Sequence, residues 1–300
     1  MNLLITGAWQ NAAQHFNKLN RLRHCIKFMQ WEEAPLPCTP EWVEGVICNG
    51  LFLHHDITLF PNLRYIQLTS AGYDRVDMEY VRAQGITIHN AGDTYAIPMA
   101  EHALCGVLML YRQMPKFLTN QHLKLWSKER FLPELSGKHV LILGCGAVGQ
   151  ACARRFAAMG CTVTGIARTS RFITGFESVH TLTSLPALLP AADVVILAVP
   201  DTPATKQLFN AETFEQMNPS SILVNIARGE LVDETALVTA LNDGQLAGAV
   251  LDVFAQEPLN PNSPLWEMPN VILTPHNSFV GEGNVKRLAE IVITNLTHNQ

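Results

Sequence analysis

Short apolar runs alternate with amphipathic or polar stretches along nearly the whole chain, and that rhythm sets the fold class. In the first part the runs fall at residues 3–5, 25–28, 46–48, 65–68 and 87–89. Runs of this length without internal alternation fit strands covered on both faces, and helical segments between them imply a parallel sheet, here a small one of about five strands with right-handed crossovers. The rhythm resumes at 140–143 and continues at 161–166, 194–199, 222–226, 249–254 and 271–274, six strands with helices between them that fit a doubly wound sheet. A last helix runs from Asn284 to about Thr297. Between the two sets lies an apolar helix, 97–111 and on to about Met114, followed by a polar, aromatic segment at 116–133. Asn90 to Thr94 reads as a linker and helix cap with Pro98 in the first turn beyond it, which places the domain crossing near Asp93. No internal repeat or low-complexity tract is visible in the sequence.

The most informative stretch is residues 139–171. The buried-strand run Val140, Leu141, Ile142, Leu143 leads directly into Gly144, Cys145, Gly146, Ala147, Val148, Gly149, then a helix from about Val148 to Met159 ending at Gly160, then a second apolar strand. In such a unit Gly144 permits the tight turn, Gly146 lets the backbone approach a pyrophosphate and Gly149 lets helix and strand pack closely, while the helix N-terminus directs its N–H groups at the phosphates. Strand, glycine turn, helix and second strand in register are the context in which this motif reads as a dinucleotide site.

Composition narrows the class. Of the 300 residues 48% are apolar and 16% charged, which describes a globular chain with a sizeable core and favours two domains. A net charge of -5 without clusters argues against nucleic acid or an anionic membrane as partner. The start, Met1 to Gly7, has no basic leader and reads as a first strand, and the 97–111 helix carries Glu101 and His102 and falls short of the roughly 20 residues a bilayer needs. Seven cysteines, at 25, 38, 48, 105, 145, 152 and 161, form no CxxC pair, so reduced thiols in the cytoplasm are expected, with no disulfide and no metal site.

Candidate chemistry collects just past the strand ends. Arg228 follows Asn225, Ile226 and Ala227 with a fixed charge and a planar fork suited to a carboxylate or keto acid. His276 follows Leu273, Thr274 and Pro275, and Glu257 follows the strand ending at Phe254. A carboxylate beside a histidine stabilises its imidazolium, giving a proton donor for the oxygen of a carbonyl that receives hydride. Earlier in the chain, residues 69–74 (TSAGYD) form a small-residue turn after a parallel strand, and its backbone N–H groups could make an anion-binding concavity. At the end of the second strand of the dinucleotide unit an acid normally accepts hydrogen bonds from the ribose 2′-OH. Here Ala167 is followed by Arg168, Thr169, Ser170 and Arg171, so two arginines and two hydroxyls are available to a 2′-phosphate instead.

Residues 225–233 (NIARGELVD), 251–254 (LDVF) with Glu257, Pro258 and Leu259, and 274–276 (TPH) resemble the signatures of the D-isomer-specific 2-hydroxyacid dehydrogenase family, and the likeness extends over most of the chain. Residues 70–74 resemble the family's substrate-carboxylate loop, 99–101 its interdomain helix start, and 197–200 with Thr202 and Pro203 the strand and loop beside the nicotinamide. The resemblance implies an α/β protein with two doubly wound parallel-sheet lobes and the active site in the cleft. One lobe is a Rossmann coenzyme domain over 94–282, the other a smaller flavodoxin-like substrate domain from 1–93 and 283–300. It implies that Arg228 orients the 2-oxo acid, His276 is the acid/base, Glu257 holds and tunes it, and the backbone of Ala71, Gly72 and Tyr73 binds the carboxylate. Val199, Pro200, Thr202 and Ala227 would line the cofactor, with Asp252 on the nicotinamide carboxamide.

Two departures from the family pattern bear on function. Ala167 stands where an acid is usual, which points to NADPH with NAD as the lesser alternative, and the chain stops soon after the last helix, which suggests a trimmed C-terminal strand. The expected activity is reduction of a small 2-oxo acid to a D-2-hydroxy acid, glyoxylate or hydroxypyruvate first, with a partly apolar pocket near Leu51, Phe52, Tyr73 and Phe279. A non-catalytic dinucleotide-sensing protein of corepressor type is the rival from another class, and a phosphoglycerate dehydrogenase-like enzyme the rival within the family. Leu104, Val107, Leu108 and Tyr111, at helical spacing, suggest either an interior helix or, as the family implies, a homodimer face.

Overall fold

The computed structural model describes residues 1–298. In chain order the first elements are β1 (Asn2–Thr6), α1 (Phe16–Arg21), β2 (Cys25–Met29), β3 (Gly45–Cys48), β4 (Tyr65–Leu68), α2 (Met78–Ala83) and β5 (Thr87–His89). Next come α3 (Ala96–Tyr111), α4 (Met114–His122), β6 (His139–Leu143), α5 (Ala147–Ala158), β7 (Thr162–Ile166) and β8 (Ser178–His180). The rest are α6 (Leu185–Leu188), β9 (Val194–Leu197), α7 (Ala211–Glu215), β10 (Ile222–Asn225), α8 (Glu234–Asn242), β11 (Gly248–Leu251), β12 (Val271–Leu273) and α9 (Asn284–His298).

Two compact units result, one of Met1–Tyr95 with the stretch from Gly281 onward, the other of Ala96–Val280. The division falls two residues beyond the expected Asp93 and two before the expected 283. In the smaller unit five parallel strands follow the order β2-β1-β3-β4-β5. Their side chains alternate between two faces, as a period of two requires. Leu4, Val46, Cys48, Ile66 and Leu68 pack on one side with Val81 of α2, while Leu3, Ile5, Ile47 and Tyr65 pack on the other with Leu19 of α1 and Leu288, Val292 and Leu296 of α9. The last helix thus belongs to the first sheet because its apolar stripe completes that face.

The larger unit repeats the logic with seven parallel strands in the order β12-β11-β10-β9-β6-β7-β8. Val140, Ile142, Val194, Ile196, Ile222, Val224 and Val250 face α3 and α5, while Leu141, Leu143, Val195, Leu197, Leu223, Ala249 and Leu251 face the layer that carries Phe214 of α7 and Leu237 of α8. Burying a side chain of that size contributes roughly 1.5–3 kcal/mol, so continuous apolar strands covered on both faces are the main source of stability. Asp233 caps α8 by accepting from the N–H groups of Thr235 and Ala236, and Asn210 caps α7. Strand order reverses direction between β6 and β9, the switch point at which doubly wound sheets bind ligands.

Several elements differ from the sequence expectations. The sheet has a seventh strand, β8, whose three residues include a single core side chain, Val179. The polar segment after 114 begins with a helix, α4, in which no residue is buried, so it carries no core periodicity to read. On α3, Val107 and Tyr111 are buried and Leu104 and Leu108 pack against the core, so these four make an interior face. Leu51 is fully buried in the first unit's core. Among the described residues no helix is long and apolar enough to cross a membrane, and no cluster of side chains is arranged to hold a metal ion.

Candidate active site

The glycine turn follows β6 at the switch point. Gly144 has φ +101°, and a Cβ there would lie 2.2 Å from the Ala198 carbonyl oxygen just past β9. A Cβ on Gly149 would lie 1.8 Å from the Gly144 carbonyl oxygen, so helix α5 can start this close to the strand only with glycine. A Cβ on Gly146 would meet nothing within 4 Å, and Gly146 and Ala147 are exposed. Gly146 is the N-cap of the 12-residue α5, whose first turn, with Ala147 and Val148, has N–H groups without intrahelical partners. An open glycine face beneath a helix N-terminus fits a dinucleotide pyrophosphate. Beside it, Val199, Pro200 and Thr202 follow β9, where the Thr205 hydroxyl donates to the Pro200 carbonyl at 2.8 Å and accepts from the Thr202 N–H at 2.9 Å.

After β7 the backbone passes through Ala167, whose N–H donates to the His180 carbonyl at 2.9 Å, into exposed Arg168, Thr169, Ser170 and Arg171. The unexpected β8 changes one detail: the Ser170 hydroxyl donates its only hydrogen to the Val179 carbonyl at 2.7 Å. It is therefore no donor to a phosphate in this conformation, which leaves the two guanidinium groups and Thr169. Burial pushes the Cys145 thiol in the glycine turn up to about 11, with the charge of Arg171 acting the other way.

Arg228, Glu257 and His276 follow three neighbouring strands, β10, β11 and β12. The turn that presents Arg228 is shaped by Asn225, whose side chain accepts from the Ala227 N–H and donates to the Arg228 carbonyl at 2.8 Å. Arg228 Nη1 donates to the Ala227 carbonyl at 2.7 Å. Gly229 packs so tightly on the next loop that a Cβ would lie 1.9 Å from the Phe254 carbonyl carbon, so glycine is required to bring the loops after β10 and β11 together. The second loop is tied down at both ends: Ala255 N–H donates to Glu234 Oε1 at 2.8 Å and Phe254 N–H to Glu257 Oε1 at 3.1 Å. The other Glu257 oxygen, Oε2, stands 2.8 Å from His276 Nδ1, with Phe279 edge-on to the imidazole at 5.9 Å between centroids. Both partners keep about two fifths of their side-chain surface in water, 41% and 37%, so the pair is screened and works as an orienting contact more than a stabilising one.

Asp252, one residue past β11, is fully buried. Its carboxylate accepts from the Thr274 hydroxyl at 2.6 Å and from the N–H groups of Asn277 and Ser278 at 2.8 and 2.9 Å. The supporting residues Asn225, Glu234, Thr274, Asn277 and Ser278 were not singled out from the sequence. The readable signal was a polar side chain, Asn225 or Asp252, at the end of an otherwise apolar strand.

In the smaller unit the turn after β4 is held from below. The buried Gln67 donates to the carbonyls of Leu68 and Asn90, both at 2.9 Å, and Asn90 in turn donates to the Ala71 carbonyl at 2.6 Å. The Tyr95 hydroxyl donates to the Thr69 carbonyl and the Ser70 hydroxyl to that of Gly72. These bonds engage carbonyls, and none of the described hydrogen bonds uses the N–H of Ala71, Gly72 or Tyr73. Tyr73 is 37% exposed, whereas Phe52 packs edge-on against Phe60.

A parallel sheet with a glycine turn at its switch point and a histidine–carboxylate pair at its strand ends is the arrangement of an oxidoreductase with an NAD(P)-binding Rossmann domain. Comparison with known proteins agrees: the family model described as D-isomer specific 2-hydroxyacid dehydrogenase, NAD binding domain, matches residues 104–278. The chain belongs to the D-isomer specific 2-hydroxyacid dehydrogenase family. It is 37% identical to a glyoxylate reductase of Pyrococcus furiosus over 296 residues, covering 93% of this chain and 88% of that protein. A solved D-isomer specific 2-hydroxyacid dehydrogenase family protein from Aeromonas salmonicida superposes with a TM-score of 0.84 at 31% identity, over 99% of this chain and 95% of that one. An NADPH-dependent glyoxylate/hydroxypyruvate reductase from Sinorhizobium meliloti, in complex with NADP and malonate, gives a TM-score of 0.79 at 30% identity, over 99% and 92%.

Glu257 Oε2 holds the imidazole through Nδ1, and Glu257→Gln keeps an acceptor for Nδ1–H whereas Glu257→Ala removes it. Loss of that contact in Glu257→Ala is expected to lower kcat/KM for 2-oxo acid reduction about 10- to 100-fold, the scale of a misplaced catalytic group, with a smaller loss in Glu257→Gln. Equal kcat/KM in Glu257→Ala and wild type would show that Glu257 does not position His276.

Proposed function

We propose that the chain reduces small 2-oxo acids to D-2-hydroxy acids, with glyoxylate or hydroxypyruvate as first substrate and NADPH as preferred cofactor. The observation that carries the reaction class is the 2.8 Å contact between His276 Nδ1 and Glu257 Oε2 on the loops after β12 and β11, next to the loop after β10 that carries Arg228. When bound, the reduced nicotinamide supplies a hydride to the keto carbon. His276, with Nδ1–H held by Glu257, has Nε2–H left to give to the carbonyl oxygen as charge builds there. Arg228 offers its planar fork to the 2-oxo acid. In the smaller unit, the N–H groups of Ala71, Gly72 and Tyr73 are assigned to the substrate carboxylate, an anion site made of backbone alone.

Support for NADPH comes from the end of β7. Ala167 puts no carboxylate where a 2′-phosphate would be repelled, and exposed Arg168 and Arg171 offer bidentate partners to it. The Sinorhizobium meliloti relative is NADPH-dependent and the Pyrococcus furiosus relative is a glyoxylate reductase, which supports both halves of the reading. The cysteines are free, four of them buried, which suits the reducing cytoplasm.

A homodimer is part of the same proposal, with its apolar face placed on and after α4 in place of α3. Leu118, Leu123, Leu125, Trp126 and Phe131 are exposed there, Trp126 at 94% and Phe131 at 91%. So much apolar surface in one short segment of a soluble protein marks an interaction site. Light scattering at micromolar protein is expected to give the mass of two chains, and a monomer mass independent of concentration would contradict the assignment.

Absorbance loss with NADPH across a panel of 2-oxo acids tests the activity, and no loss with any of them would favour a dinucleotide-sensing protein instead. In the same assay NADPH is expected to exceed NADH in kcat/KM. Arg168→Ala should weaken NADPH by roughly 1.5–3 kcal/mol, the scale of a charged hydrogen bond, and leave NADH nearly unchanged. Equal use of both cofactors by the wild type, or an equal loss for both in the variant, would overturn the preference.

A further inference from the structure

His276 has φ 49°, in the left-handed region that residues bearing a Cβ seldom enter. Such a conformation persists at a functional position only where its surroundings over-determine it. Here they do so through one buried side chain. The His276 N–H donates to the Asp252 carbonyl at 2.7 Å and to that of Thr274 at 3.0 Å. Asp252 then grips both flanks of the turn with its carboxylate, holding the Thr274 hydroxyl on one side and the N–H groups of Asn277 and Ser278 on the other. With no exposed surface and three protein donors on its carboxylate, Asp252 braces the loop that carries His276.

The network has one more member. Thr274 gives its only hydroxyl hydrogen to Asp252 Oδ1, so its oxygen is left to accept, and His102 Nε2 lies 3.2 Å from it. His102 stands on α3, far from residue 274 in sequence, and its ring Nε2–H is the donor this geometry demands. The links run from helix α3 through His102, Thr274 and Asp252 to the residues on either side of His276, all within the larger unit.

We propose that Thr274 and His102 are positioning residues for His276: without contact to the reacting atoms, they fix the left-handed turn that aims its ring. This rests on the reading of His276 as proton donor. Thr274→Val keeps the shape and removes the hydroxyl, leaving Asp252 Oδ1 with the Asn277 N–H alone and the His102 N–H without an acceptor, the half-broken state of a partly buried network. His102→Leu removes the outer donor. Thr274→Ser and His102→Gln each retain the needed group.

The test combines single-turnover reduction of glyoxylate by NADPH, KM, NADPH titration, thermal midpoint and amide hydrogen exchange at residues 276–278 without cofactor. Thr274→Val and His102→Leu should slow turnover about 10- to 100-fold, the scale of a misplaced catalytic group, with KM and NADPH affinity within about twofold. Exchange at Asn277 and Ser278 should quicken while the protein stays folded, its thermal midpoint lowered by about 2–4 °C per kcal/mol lost, and Thr274→Ser and His102→Gln should restore both rate and protection. Turnover within about twofold of wild type in both disruptive variants would overturn the proposal, as would slowed turnover with unchanged exchange at 276–278. If Thr274→Val does not fold, the His102→Leu and His102→Gln pair decides. If the wild type reduces no 2-oxo acid, the functional reading fails on its own, and the exchange data still decide whether the network holds the turn.

Discussion

A parallel strand covered on both faces has no side along which polar chemistry can be placed, so function in such a sheet is confined to the residues just past each strand's end. That constraint organises both units of this protein. Val140 to Leu143, Val194 to Leu197 and Ile222 to Asn225 are buried throughout, and the third residue past each strand's end, Gly146, Pro200 or Arg228, is no longer buried. The glycine turn after β6, the Val199 and Pro200 segment after β9, Arg228 after β10, Asp252 and Glu257 after β11 and His276 after β12 are successive consequences of it. Close packing decides the details, since Gly149 under the Gly144 carbonyl and Gly229 against Phe254 admit no side chain at all.

The same constraint explains why so much was legible in the sequence. A short apolar run bounded by turn residues reads as a strand, and eleven of the twelve strands were placed from such runs. Ser178, Val179 and His180 did not, because a three-residue edge strand needs only one core side chain. Helix α4 was silent for the related reason that none of its residues is buried. Spacing alone also left surfaces open. Val107 and Tyr111, which fit an interior helix and a dimer face alike on a helical wheel, are core against the sheet, and Leu51, a pocket candidate, is buried in the smaller unit's core.

In the site, charged residues after strands were readable and their supports were not. Arg228, Glu257 and His276 stand out because an ionisable group directly after an apolar run is conspicuous. Asn225, Thr274 and His102 act through hydrogen bonds set by three-dimensional proximity, with 172 residues separating the last two, and no local pattern encodes that. Ser170 shows the converse: a hydroxyl that sequence offers to a ligand is engaged with the carbonyl of Val179, on a strand that the pattern did not reveal.

The proposed chemistry depends above all on His276 as the proton donor in carbonyl reduction. The most direct test compares wild type with His276→Ala in single-turnover oxidation of NADPH by glyoxylate, alongside a fluorescence titration of NADPH binding. A loss of about 10² to 10⁴ in rate with nearly unchanged cofactor affinity is the predicted result, the range expected when a general acid is removed. A rate close to that of the wild type would contradict it.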